Sequence, residues 1–172
     1  MENNIKQDNL ITKKVLLCEI LLDYNSQQLL KESFDLGDWK VYCEHCTLEF
    51  KPKENSDILQ FCKENKGKTF KLEATHIGYS EKAIAVVVKT NAPSANKVKH
   101  ITLAVKPNGG KPYDSNLIEH WEKLDKNIPL SGKIEILYAQ SSRPIREIKK
   151  IILNSRQFDI LKEEIRKQCQ TL

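Results

Sequence analysis

Long hydrophobic runs are missing from this 172-residue chain. No stretch approaches the roughly 18 consecutive apolar residues that a transmembrane helix needs. The first segment, Met1–Lys14, is polar and has no apolar core of the kind that signal peptides carry. The sequence therefore predicts a protein with no membrane partner and no secretion signal.

The chain also lacks the even number of cysteines that a fully disulfide-bonded protein has. The chain has five cysteines, and an odd count without a secretion signal favours reduced thiols inside a cell. We therefore expect the protein in the cytoplasm, with the nucleus as the alternative.

Metal-binding patterns are sparse. Cys43 and Cys46 form one C-x-x-C pair, but a zinc site would want a second pair at similar spacing, and the chain has none. Cys62 and His76 are the alternative choice for the other ligands. On a strand, however, Cys43 and His45 would share one face and Cys46 would point away from them. We therefore expect no metal and no cofactor, and we expect Cys46 in the core.

Neither sign of charge is in strong excess. The formal net charge is +5 at pH 7, which is compatible with a polyanionic partner such as RNA without indicating one. The length suits one domain with its own core. We expect residues 1–12 to be a flexible tail and residues 13–172 to form a single domain.

What the chain does contain is an octapeptide pattern that occurs twice. Residues 45–52 read HCTLEFKP and residues 100–107 read HITLAVKP, so both copies spell H-x-T-L-x-x-K-P. Each copy is predicted to be a strand, on which residues i and i+2 point to the same side. Each therefore presents an imidazole beside a hydroxyl. If the fold joins the copies, two histidines and two threonines surround one point, which suits acid–base chemistry on a phosphate.

The rest of the pattern mixes strands and helices. Strands are expected at residues 14–22, 40–50, 69–77, 83–89, 98–105, 133–138 and 148–153. Helices are expected at residues 25–34 with Asn25 or Ser26 as cap, at 56–65, around 117–124, and from about Ser155 onward. Both motif strands lead into a helix, a Gly-Lys pair and another strand. This repeat predicts a bilobal α+β fold, with two pseudo-symmetric lobes of antiparallel or mixed sheet and flanking helices around a central cleft.

With these motifs, the chain resembles the two-histidine (2H) phosphoesterases, a family named for paired H-x-T motifs on the two lobes of one domain. Its members include RNA cyclic phosphodiesterases and the cyclic phosphodiesterase module of fungal and plant tRNA ligases. Residues 96–103, NKVKHITL, look most like the last group. The resemblance covers residues 14–140 and implies metal-independent hydrolysis of RNA 2′,3′-cyclic phosphate ends, in tRNA splicing or RNA repair. The likeness to tRNA ligases implies a 2′-phosphate product.

The resemblance also implies roles for four residues. His45 and His100 would be the catalytic acid and base, in an order that the sequence leaves open, and Thr47 and Thr102 would hold the phosphate. This chemistry fits the residue types, because histidine titrates near neutral pH and hydroxyls donate hydrogen bonds to phosphate oxygens. The implied partner is RNA with a 2′,3′-cyclic phosphate end, and ligase and kinase modules on other chains are further candidate partners.

Further candidate substrate contacts are Trp39, Lys111, Tyr113 and Ser115. A glycine-rich loop, residues 109–116, follows the second motif. It could carry Tyr113 to a base and Lys111 to a phosphate. Alternatively, it is an ordinary surface loop that ends in a helix cap at Asp114 or Ser115. Trp39, which precedes the first motif, could stack on a base or belong to the core.

Two other functions stay open from the sequence. One is a 2′,5′-phosphodiesterase that acts on oligoadenylate or cyclic dinucleotides. The other is a non-catalytic RNA-binding module, which would require the histidines to lie too far apart to serve one phosphate. His120, which the pattern assigns to an amphipathic helix, is expected to be a surface or packing residue.

Overall fold

The structure is a computed structural model, and it describes residues 13–139. The chain divides into two compact units. One unit is Val15–Leu137, and the other combines residues 1–14 with residues 138–172. Of the second unit only residues 13, 14, 138 and 139 are described, and there the carbonyl of Lys14 accepts a hydrogen bond from the N–H of Ala139. The predicted tail, the strand at 148–153 and the helix from Ser155 lie outside the described residues.

Within the described range, the chain forms a sheet of seven strands with two α-helices and one 3-10 helix. None of these helices is long and apolar enough to cross a membrane. In chain order the elements are β1 (Val15–Leu22), α1 (Tyr24–Ser33), β2 (Lys40–Val41), β3 (His45–Phe50), α2 (Asp57–Asn65), β4 (Thr69–Tyr79), β5 (Ala83–Lys89), β6 (His100–Val105), the 3-10 helix (Pro112–Leu117) and β7 (Trp121–Tyr138).

The sheet closes into a barrel of six strands. Its order is β6-β3-β1-β7-β4-β5, and β5 pairs back onto β6. The short strand β2 joins the end of β6, with Lys40 opposite Val105. The pairings of β3 with β1 and β6, of β5 with β4 and β6, and of β4 with β7 are antiparallel. This agrees with the predicted α+β class and its antiparallel sheet, with few helices; the two pseudo-symmetric lobes stay a prediction.

The strands predicted at residues 69–77 and 83–89 are confirmed, and they form a hairpin. Strands β4 and β5 pair antiparallel, and Ser80 accepts hydrogen bonds from the N–H groups of Lys82 and Ala83 in the turn. Nearly all of β5 is buried, as its apolar sequence without polar alternation predicts for a central strand. Strand β5 therefore supports β6, which carries the second motif.

The helices predicted at residues 25–34 and 56–65 are present as α1 and α2, and their ends follow from their caps. Ser56 caps α2 by accepting a hydrogen bond from the N–H of Leu59, and Gly67 adopts a positive φ of 78° just after it. Helix α1 begins earlier than predicted. Its cap is Asp23, whose carboxylate accepts from the N–H of Ser26 at 2.7 Å, because a charged acceptor at this position competes well with a hydroxyl further on.

The helix predicted around residues 117–124 is wrong. A 3-10 helix ends at Leu117, and strand β7 starts at Trp121, opposite Gly78 of β4. The ring of Trp121 lies so close to Gly78 that a Cβ there would come within 2.5 Å of it. Pairing along the length of β4 therefore outweighs the helix-like apolar spacing of this segment. His120 is consequently exposed just before a strand, and Gly132 lies inside β7 rather than ahead of a strand.

Candidate functional site

The two H-x-T motifs lie on neighbouring antiparallel strands. Cys46 of β3 pairs with Ile101 of β6. In an antiparallel pair the partner moves one residue back for each residue forward. One step on either side therefore sets His45 across from Thr102, and Thr47 across from His100. The four side chains form a square with the histidines on one diagonal and the threonines on the other.

All four motif side chains point to one side of the sheet. The residues between them, Cys46 and Ile101, are fully buried on the opposite side, in one row with Ile20 of β1 and Val86 of β5. Residues directly opposite each other in such a pair have Cβ atoms roughly 5 Å apart, and diagonal neighbours are roughly 7–8 Å apart. The two imidazoles can therefore approach one small group from two sides.

The first motif is preceded by a break in the strand. Residues 40–50 were predicted to be one strand, but Cys43 has a positive φ of 54° and separates β2 from β3. Its N–H donates to the carbonyl of Thr102 at 3.0 Å, and its thiol lies 3.5 Å from the carbonyl of Leu103. These contacts with β6 hold the break in place. Strand alternation therefore does not relate Cys43 to His45, which corrects the face assignment predicted for them.

His45 lies next to a buried carboxyl group. Its side chain is 26% exposed, and Nδ1 lies 3.5 Å from Oε2 of Glu19, which is fully buried on β1. Burial lowers the pKa of His45 below its ordinary value, and the nearby imidazole of His100 lowers this pKa further, while Glu44 opposes both.

His100 is held by the backbone instead. Its Nδ1 lies 2.8 Å from the carbonyl oxygen of Val98. A carbonyl only accepts hydrogen bonds, so Nδ1 carries the proton and Nε2 is left available. Burial lowers the pKa of His100, and the hydrogen bond to Val98 partly opposes this change. The ring therefore favours the neutral form with a fixed tautomer.

Thr102 is tied to the 3-10 helix that follows its strand. Its hydroxyl lies 2.8 Å from the hydroxyl of Ser115, which is almost fully buried, and 3.4 Å from the carbonyl of Pro112. Of the four predicted substrate contacts, Ser115 is thus in direct contact with a motif residue. For Thr47 no side-chain hydrogen bond is found among the described residues, although its carbonyl accepts from Ser94.

The segment that leads into the 3-10 helix is held by hydrogen bonds. The N–H of Gly110 donates to Lys106, and the carboxylate of Asp114 accepts from the N–H of Lys111 at 2.8 Å. The helix cap is therefore Lys111, not the predicted Asp114 or Ser115. Tyr113, which is 69% exposed, and Lys111 point into solvent on this element next to Thr102.

Trp39 lies apart from the motif residues. It is half-buried directly before β2, and its N–H donates to the carbonyl of Leu36. Since β2 pairs with the far end of β6, Trp39 adjoins the start of the glycine-rich loop rather than the histidines. Among residues 13–139, no hydrogen bond links it to either motif.

Sequence reasoning missed Glu19. The residue pairs with Thr47 across β1 and β3, so the two share a face of the sheet with His45. The signal was a single acidic residue inside the apolar run VLLCEILL. A charged side chain in a buried strand needs a partner, and the pattern alone did not identify which residue that was.

The thiols near the site are not poised to bind a metal. Burial raises the pKa of both Cys43 and Cys46 to about 12, so both carry their protons at neutral pH. In the part of the chain that the structure describes, no group of three or more His, Cys, Asp or Glu residues is arranged to hold a metal ion.

The chain belongs to the family described as the fungal tRNA ligase phosphodiesterase domain, which matches residues 30–141, more than half of its length. The relationship to the phosphodiesterase domain of fungal tRNA ligases that the two motifs predict is therefore confirmed. The matched range contains both H-x-T motifs.

Among solved structures, one described as the crystal structure of a fungal RNA kinase is similar in fold. The TM-score is 0.56 at 14% sequence identity, and the match covers 77% of this chain and 47% of that one. The described chain thus corresponds to about half the length of that protein, and at this identity the likeness concerns the fold alone. No curated protein sequence matches the chain.

Proposed function

We propose that this protein hydrolyses the 2′,3′-cyclic phosphate ends of RNA and leaves a 2′-phosphate, in tRNA splicing or RNA repair. The observation that carries the proposal is the pairing of Cys46 with Ile101, because this register gathers two imidazoles and two hydroxyls on one side of the sheet. Membership in the tRNA ligase phosphodiesterase family supports the substrate class.

The reaction needs two proton transfers on opposite sides of phosphorus. One histidine removes a proton from the attacking water, and the other gives a proton to the ribose oxygen that leaves. Histidines on the diagonal of the square can approach from two sides. The lowered pKa values favour the neutral form that the general base requires. The histidine that acts as the acid must first be protonated on Nε2, and it gives this proton to the leaving ribose oxygen. Because His45 and His100 provide both transfers, the reaction requires no metal ion.

The threonines stabilise the charge that the phosphate carries in the transition state. Hydroxyls of Thr47 and Thr102 donate hydrogen bonds to the two non-bridging oxygens. The hydroxyl of Ser115 can donate to Oγ1 of Thr102, and the hydrogen of Thr102, which points to the carbonyl of Pro112 at 3.4 Å, would turn to the phosphate when the substrate binds. Ser115 thereby helps to direct one of the two phosphate contacts.

The RNA chain would extend over the 3-10 helix. Tyr113 is exposed beside the second motif and can stack on a base, and Lys111 can neutralise a backbone phosphate. Trp39 is a more remote base contact at the far end of β6. Ligase and kinase activities on other chains would process the resulting end, and the cytoplasm, or alternatively the nucleus, is the compartment we propose.

The proposal is tested with a short RNA that ends in a 2′,3′-cyclic phosphate. We expect conversion to a 2′-phosphate end, resolved chromatographically from the 3′-phosphate, with equal rates in the presence and absence of EDTA. H45A and H100A should each abolish the conversion, whereas H120A, which changes an exposed histidine away from the motifs, should retain it.

Three results would contradict the proposal. Cleavage of a 2′,5′-linked dinucleotide with no action on the cyclic end would assign the other phosphodiesterase activity. Activity that survives both motif substitutions would exclude the histidines as its source. Binding of the RNA without any turnover would leave a non-catalytic RNA-binding module.

A further inference from the structure

Glu19 is an acidic residue where the packing favours an apolar one. It is fully buried, and its neighbours Cys18 and Ile20 are buried core residues of the same strand. A carboxyl group in such surroundings destabilises the fold unless it is paired or hydrogen-bonded. The imidazole of His45, with Nδ1 3.5 Å from Oε2 of Glu19, is a suitable partner.

The contact involves the nitrogen of His45 that is not needed for catalysis. With Nδ1 directed at the carboxylate, Nε2 is the ring nitrogen left for the substrate. A neutral imidazole has one protonated nitrogen, and the carboxylate favours the proton on Nδ1. At 3.5 Å this is an ion-pair contact rather than a formed hydrogen bond. We expect it to shorten when the substrate binds, because contacts in active sites without substrate are often long.

His100 shows the same arrangement with a different acceptor. There the carbonyl of Val98 accepts from Nδ1 at 2.8 Å and leaves Nε2 available. Both rings therefore have an acceptor behind Nδ1, a carbonyl for His100 and a carboxylate for His45. Such an acceptor fixes the tautomer and the orientation of a catalytic histidine.

We propose that Glu19 is the positioning residue of His45, which holds the proton on Nδ1 and directs Nε2 to the phosphate. Its effect on rate rests on the proposed function, whereas its effect on the tautomer does not. Glu19 does not touch the substrate, and it acts through the imidazole ring.

The test compares E19Q with E19D and E44Q in the full chain. E19Q keeps the side-chain volume and removes the charge, and E19D keeps the carboxylate. E44Q is the matched control, because it removes the other carboxyl group that acts on His45 through its charge. The tautomer of His45 is read from the ¹⁵N shifts of its ring nitrogens without substrate, and kcat and KM are measured on the cyclic-phosphate RNA.

We expect His45 to be protonated on Nδ1 in the unmodified protein, in E19D and in E44Q, and to lose this preference in E19Q. In E19Q, kcat should fall roughly 10²- to 10⁴-fold, the range associated with a mispositioned general base, with KM changed by less than about threefold. E19D should recover part of kcat.

An unchanged tautomer and an unchanged kcat in E19Q would overturn the proposal. So would a loss of activity that comes with a lower melting temperature and an unaltered tautomer, because that combination indicates a purely structural residue. If the unmodified protein does not open the cyclic phosphate but E19Q still alters the tautomer, the proposed function fails and the positioning role stands.

Discussion

The two H-x-T motifs have the same letters but differ in what supports them. In the first motif, His45 has a carboxyl group behind its ring and Thr47 has no side-chain hydrogen bond among the described residues. In the second, His100 rests on a carbonyl and Thr102 on the hydroxyl of Ser115. In the first motif, therefore, only the histidine has a side-chain partner nearby. In the second motif, nearby backbone holds the histidine, and the 3-10 helix holds the threonine.

The two motifs therefore depend on different parts of the fold. The second motif is supported by segments close to it in sequence, Val98 on one side and the 3-10 helix on the other. The first depends on β1, a separate strand. The group facing Nδ1 is a side-chain carboxyl group for His45 and a backbone carbonyl for His100, so the two histidines are not equivalent even though the motif is repeated.

The largest expected effects are those of replacing the histidines. H45Q and H100Q should each lower kcat about 10²- to 10⁴-fold, because each removes one proton transfer. The double variant should be little worse than either single one, since residues that act together have non-additive effects. Single-turnover rates on the cyclic-phosphate RNA measure this. If the loss of kcat in the double variant equals the product of the two single losses, the histidines do not act together.

Next in size is the effect of Tyr113, the exposed aromatic residue on the 3-10 helix that follows the second motif. Y113A should raise KM roughly 10-fold, since the stacking of a base on an aromatic ring contributes about 1–3 kcal/mol, and leave kcat nearly unchanged. The matched control is F50A, because Phe50 is a comparably exposed aromatic residue at the end of the first motif. If Y113A and F50A have similar KM values, Tyr113 has no special role in binding the RNA.

A smaller effect is expected from the hydroxyl pair of the second motif. S115A should lower kcat about 3- to 10-fold, the equivalent of one hydrogen bond of about 1 kcal/mol. T102A should lower kcat by more, and S115A should add little in its presence, because Ser115 acts through Thr102. A double-mutant cycle with these two changes checks this. Independent effects would mean that Ser115 contacts the substrate itself.

The smallest expected effect concerns stability and pH. Burial lowers the pKa of both motif histidines in the folded state, so the unfolded chain binds protons more readily. The free energy of unfolding should therefore fall as the pH drops below about 6.5 and level off below the folded-state pKa values. Denaturant titrations between pH 7.5 and 5.5 should show a weaker decline in H100Q than in the unmodified protein. The same decline in both proteins would contradict the assignment.

Local patterns could be predicted from the sequence, and long-range pairing could not. The H-x-T face, the β4–β5 hairpin and helix α2 follow from alternation, turn residues and a serine cap within a few positions. The end of β7 is confirmed as the strand predicted at residues 133–138, but its start, residues 121–124, is wrongly predicted as helix because its apolar spacing is ambiguous until its partner β4 is known. The contact between Glu19 and His45 likewise depends on how β1 and β3 pair. No short stretch of the sequence indicates this pairing.

Strand β6 pairs on one side with β2 and β3 and on the other with β5. A helix and a hairpin separate the first motif from the second along the chain, so the motifs become neighbours only when β6 docks between strands formed elsewhere. Contacts of such long sequence separation form late in folding, because loop closure must precede them. A partly folded chain would accordingly contain both histidines and still have no site, and loss of activity on denaturation should coincide with the unfolding of the barrel itself.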